Sequence, residues 1–122
     1  MKFDLHMIQL DRDACEVPGC QWTEKDGNIG LDWDHCIFPK NKRFAKFVNN
    51  PFNMLRACAI CNRITHISDH WEAKEWLINF HMDSNYSFDF LHWITNPDPK
   101  FYKPKRVYNY IATKLDEERK GE

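Results

Sequence analysis

In the stretch LDWDHCIFP, residues 31–39, Asp34 stands directly before His35, and an acid beside a histidine is the minimum equipment for metal-assisted hydrolysis. A histidine whose unperturbed pKa is about 6.5 takes a proton from water near neutral pH and releases it later, so His35 is the natural general base. A carboxylate holds a hard divalent ion, and such an ion stabilises the negative charge that builds on a phosphodiester as water attacks it. Taken alone, an Asp-His pair on a strand is more often a surface hydrogen bond than a catalytic pair. The surroundings decide between the two.

Two cysteine pairs flank this stretch. Cys15 and Cys20 enclose the turn-forming EVPG, and Cys58 and Cys61 form a tight C-x2-C. Zinc takes four thiolates in a tetrahedron at about 2.3 Å, and pairs joined by short turns supply two ligands each without straining the backbone. A structural zinc is therefore expected, with buried thiols as the alternative. Cys36, the odd cysteine beside His35, reads as a buried thiol outside that set. The N-terminus MKFDLHMIQLDRDAC lacks the apolar run of an export signal, so the cysteines are expected to stay reduced and the protein to be cytoplasmic.

Positioning these residues falls to a chain of 122 residues, about the size of one domain, with 43% hydrophobic content. No apolar run reaches the roughly 18 residues of a membrane span, so no membrane partner is expected. Gly27, Asn28 and Gly30 mark a turn before IGLDWDH, whose alternation reads as a strand. KNKRFAKFV reads either as a second strand or as a helical turn, and Asn49-Asn50-Pro51 then breaks the chain. A helix is expected from about Ala59 through ICNRITHI. Asp69 and Glu72 form a capping box opening the amphipathic helix WEAKEWLINF. A shorter helix covers YSFDFLHWI, and a last one starts near Pro104 with Val107, Ile111 and Leu115 on one stripe, fraying from Asp116. Trp71, Trp76, Phe80, Phe88, Phe90 and Trp93 recur at helical spacings and are expected in the core.

The net charge is only −1, yet it is unevenly spread. Residues 1–34 hold three basic side chains (Lys2, Arg12, Lys25) against eight acids, whereas residues 35–66 hold six (Lys40, Lys42, Arg43, Lys46, Arg56, Arg63) and no acid. Such a block presents a positive face to a polyanion or forms a solvated loop. Arg56 and Arg63 flank the second cysteine pair and are candidates for bidentate phosphate contacts. Lys40, Lys42, Arg43 and Lys46 are candidates for tracking a DNA backbone, which positions a nucleic acid without reading it.

DHCIFP, followed by N-M-L-x-x-C-x-x-C-N, resembles the pattern of the HNH endonucleases, and RDACEVPGC resembles that family's first zinc knuckle. The resemblance covers about residues 12–66 and implies an α+β fold: a ββα-metal core, stapled by a four-cysteine zinc and followed, over residues 68–120, by a helical extension within one domain. It implies that His35 is the general base, that Asp34 and Asn62 hold the catalytic ion, and that Asn53 orients the loop of the base. Asparagine at the last motif position makes this a His-Asn-Asn variant, which suits magnesium or manganese. His66, four residues after Asn62, is either a further ligand or phosphate contact or a surface histidine.

The implied function is metal-dependent cleavage of DNA, by a phage or mobile-element enzyme in its host's cytoplasm, free-standing, as a homodimer or within a larger phage complex. LRACAICN also resembles the phage recombination endonuclease family, although Trp33 or Ile37 stands where that family's second histidine is expected. The competing readings are a noncatalytic zinc module that binds nucleic acid, and a subunit active only with its partners.

Overall fold

The computed structural model describes residues 15–17, 31–58, 61 and 66–120. Strand β1 (Leu31–His35) pairs antiparallel with β2 (Met54–Cys58), Leu31 lying opposite Cys58 and His35 opposite Met54. The connection between them is no tight turn. It carries a single-turn helix, α1 (Ala45–Val48), and a 3-10 turn over Pro51–Asn53. Of the two readings open for KNKRFAKFV, the helical turn forms, because Phe44, Phe47 and Val48 fall at i, i+3 and i+4 and face the interior together. Asn50 then accepts from the Phe52 N–H at 2.9 Å and caps the 3-10 turn, with Pro51 at its first position.

Three helices follow: α2 (Trp71–Met82), α3 (Ser87–Ile94) and α4 (Lys105–Lys120). Their starts and ends depart from expectation in three places. The helix expected from Ala59 does not run through His66, whose backbone is left-handed (φ 50, ψ 48); residues 59–60 and 62–65 lie outside the described residues. The Asp69 and Glu72 capping box does not form, since the chain makes a 3-10 turn over Ile67–Asp69 and His70 becomes the N-cap, with no side-chain hydrogen bond. The last helix does not fray at Asp116 but continues to Lys120.

The result is a mixed α+β molecule with one hydrophobic core. Ile37, Phe38, Val48, Phe52 and Leu55 from the hairpin and its connection meet Leu77, Ile78, Phe90, Ile94, Val107 and Ile111 from the helices. Phe38 is wholly buried, with ring centroids 5.3 Å from Phe47, 5.8 Å from Trp93 and 5.3 Å from Phe101. A phenylalanine buried so completely contributes on the order of 2–3 kcal/mol. Phe90 belongs to this core, but two other aromatics expected there do not: Phe88 is 78% exposed and Phe80 39%. Phe88 lies two residues from Phe90 on α3, roughly 200° around the helix, so burying one turns the other to solvent. Phe80 stacks instead on Trp76, one turn back on α2, at 5.2 Å. No described helix is long and apolar enough to cross a membrane.

Two aromatic side chains tie the helices together through polar tips. Trp93 Nε1 donates to the Phe47 carbonyl at 3.1 Å, and Tyr108 Oη donates to the Ile94 carbonyl at 2.7 Å. Burial pushes the Tyr108 phenol up from 10.0 to about 12. A raised folded-state pKa gives stability that is complete below the unfolded value and lost as the pH climbs through the folded one. Tyr108→Phe is expected to cost about 1 kcal/mol at neutral pH. Urea titrations across the alkaline range should show that deficit disappearing between about pH 10 and about pH 12.

Candidate functional site

Successive residues of a strand point to opposite faces, which sets Asp34 against His35 as partners in one site. The conflict is relieved because β1 ends at His35. The next residue, Cys36, turns inward and donates its N–H to the Asn53 carbonyl at 2.8 Å, and Asp34 and His35 both line a cleft of about 460 Å³. Pro39, Lys40, Ser68, Asp69 and Lys74 complete its wall.

The connection that forms this wall is held by Asn53, which is completely buried. Its Oδ1 accepts the Phe38 N–H at 2.7 Å, while its Nδ2 donates to the carbonyls of Phe38 at 2.9 Å and Val48 at 2.8 Å. One amide thereby closes the loop that starts at the histidine. The ring of His35 is held in turn: its Nε2 lies 2.7 Å from Asn49 Oδ1. An amide oxygen only accepts, so in the neutral ring Nε2 carries the hydrogen and Nδ1 is left as the basic atom.

The cations divide. Lys40 borders the cleft, whereas Lys42, Arg43 and Lys46 line a different groove of about 530 Å³, together with Phe44, Phe47, Trp93 and Asp98. All four are exposed. Arg56 behaves differently from a free phosphate hook. It stands opposite Trp33 in the hairpin, its guanidinium lies 4.6 Å from that ring, and its side chain is half-buried. Arg63 and Asn62 lie outside the described residues.

At the far end of the hairpin, Cys15, Cys58 and Cys61 bring their sulfurs within 4.8 Å of one another, a group that could hold a metal ion. Cys15 and Cys58 are buried and Cys61 half-buried; Cys20 lies outside the described residues. The N-terminal segment reaches this point by pairing with β2, Glu16 N–H donating to the Arg56 carbonyl at 2.8 Å and Glu16 Oε1 accepting the Arg56 N–H at 2.6 Å. Cys36 is buried and stands apart from the cluster, as expected. His66 is exposed and does not line the cleft, because the helix that was to place it beside Asn62 does not extend to it.

Two residues of the site went unread in the sequence. Asn49 reads there only as part of the break before Pro51, and Lys74 only as one residue of the amphipathic WEAKEWLINF. Lys74 Nζ donates to the Cys36 carbonyl at 2.6 Å and to the Ser68 carbonyl, which draws the start of α2 against the end of β1. Comparison of the chain with protein-family models, curated proteins and solved structures gives no match.

Asn53→Asp provides a sharp test of the loop closure. One carboxylate oxygen keeps the Phe38 N–H, but the other meets two carbonyls, so the charged form is disfavoured and the folded-state pKa rises. The variant's stability should be greatest, relative to wild type, below about pH 4 and should fall as the pH rises from there. By pH 7 a deficit of about 2 kcal/mol or more is expected in denaturant titrations run beside wild type.

Proposed function

We propose that this chain is a metal-dependent DNA endonuclease of the HNH kind, with a ββα-metal core. The observation that carries the reading is the cleft at the end of β1, where Asp34 and His35 open together beside a loop fixed by Asn53. His35 Nδ1 takes the proton of the attacking water while Asn49 holds the ring, and Asn53 acts by positioning. Asp34, with Asn62, would hold magnesium or manganese, which supplies charge stabilisation at the scissile phosphate. Lys40 at the cleft and Lys42, Arg43 and Lys46 of the loop that follows it contact the phosphates of the DNA.

Zinc is the ion proposed for the cysteine group, with Cys20 as its fourth ligand. A tetrahedron of sulfurs at about 2.3 Å from zinc has edges of about 3.8 Å. Cys15 Sγ and Cys61 Sγ are 3.8 Å apart. That one pair matches the edge a zinc tetrahedron needs, and the third sulfur, of Cys58, lies within 4.8 Å of both.

One observation favours a second reading, a noncatalytic zinc-stabilised module that binds nucleic acid. Among the described residues, the cysteines are the only group of three or more His, Cys, Asp or Glu side chains close enough to hold an ion. On this reading DNA binds but is never cut, and binding needs no magnesium.

Supercoiled plasmid incubated with magnesium or manganese separates the two. Wild type is expected to nick or linearise it, chelator to stop the reaction, and His35→Ala of equal melting temperature to lose at least about 100-fold in rate. Asn49→Ala should lose about tenfold. Binding without cleavage in every sample points to the noncatalytic module, or to a nuclease that needs a partner. Metal analysis of purified protein should give one zinc per chain. Cys58→Ser and Cys20→Ser should each lose it and melt roughly 10 °C or more lower; a Cys20→Ser protein that retains zinc would remove Cys20 from the ligand set.

A further inference from the structure

The proposed chemistry leaves one cation of the cleft without a task. Lys74 lies in the first turns of α2 and is half-buried, and its ammonium is anchored by two neutral acceptors, the carbonyls of Cys36 and Ser68. Among the described residues no carboxylate lies within ion-pair distance of it, although Asp34 and Asp69 line the same cleft. An ammonium has three N–H donors. With two fixed on carbonyls, the tetrahedral geometry sends the third away from both, and Lys74 lines the same cleft as Asp34 and His35.

A half-desolvated charge with no carboxylate in direct contact is costly to maintain, and an anion brought beside it gains more than it would from a solvated lysine. The lysines on the loop are exposed and must be ordered each time they grip a phosphate. Lys74 is already ordered. Its carbonyl partners come from the two segments that frame the cleft, the end of β1 and the turn before α2, so its position is locked to that of His35.

We propose that Lys74 is a catalytic residue of this site, its third N–H donating to a nonbridging oxygen of the phosphate under attack. The inference rests on the nuclease reading and adds to it. As the water oxygen bonds to phosphorus, its proton passes to His35 Nδ1, the bond to the leaving oxygen breaks, and that oxygen takes a proton from solvent. Lys74 keeps its own protons and stabilises the charge that accumulates on the phosphoryl oxygens.

The alternative is a clamp that merely joins β1 to α2. Lys74→Gln retains N–H donors for the carbonyls and removes the charge, whereas Lys74→Arg keeps the charge. Single-turnover cleavage of a defined duplex should slow about 100-fold in the glutamine variant, with DNA affinity changed less than about threefold, and recover in part in the arginine variant. Melting temperature and zinc content should not follow that order. In wild-type protein the side-chain ammonium signal of Lys74, made visible by nitrogen-15 NMR because its hydrogens are held, should shift when a short duplex is added without divalent ion. This second measurement decides the matter if the variants fail to fold. A glutamine variant that cuts like wild type, or an ammonium signal unmoved by bound DNA, overturns the role of Lys74 while leaving His35-dependent cleavage intact. If wild type itself cuts nothing, the reading of a free-standing nuclease falls and this inference falls with it.

Discussion

The side-chain amide of Asn53 makes three hydrogen bonds in a place where water makes none, and the rest of the structure depends on them. They bind the first residues after β1 to the end of α1, so that a long excursion between two paired strands becomes a closed loop. Few residues could do this. The site presents one N–H and two carbonyls, which is the complement of a primary amide and of nothing else among the short side chains. An apolar replacement would strand all three groups in the interior, at a cost of about 1–3 kcal/mol for each. Because the loop is closed, Phe38 is carried into the aromatic core and His35 is left at the rim, with Asn49 returning on the same loop to meet it.

The same closure sorts the loop's side chains. Phe44, Phe47 and Val48 point inward at helical spacing, and Lys42, Arg43 and Lys46 are left outside on the intervening positions. A chain that is nearly neutral overall thus exposes several cations on one loop. Their neighbours in the sequence are aromatic residues packed against the core, which ties that loop to the body of the molecule.

Much of this arrangement was legible in the residues. LDWDH alternates and follows a Gly- and Asn-rich turn, which is enough for β1, and the long amphipathic patterns gave α2, α3 and α4 close to their bounds. The separation of Cys36 from the other cysteines was legible too. What stayed hidden were contacts made by the chain's return in space. Asn49 meets His35 fourteen residues away and Lys74 meets Cys36 thirty-eight residues away, and no local pattern announces either. The capping box fails to form for a related reason. The motif is sound on its own, but the left-handed turn at His66 starts a 3-10 turn that consumes Asp69 before the helix begins. Arg56 shows only its charge in the sequence, whereas its guanidinium lies on Trp33, the residue facing it across the hairpin.

The core draws on Ile37 and Phe38 at one end and on Val107 and Ile111 at the other, whereas the described cysteines of the cluster are all in hand by Cys61. These two facts impose an order on biosynthesis. A nascent chain that has emerged only as far as His66 already carries every cysteine of the sequence, but none of the three long helices that complete the burial of Phe38 and Phe52. Its loop would be cross-linked at the cysteine end while its aromatic side chains remained in water. Burial of the aromatic side chains must then wait for the last helix, so a metal held by the cysteines would join the two strands well before the core closes around them.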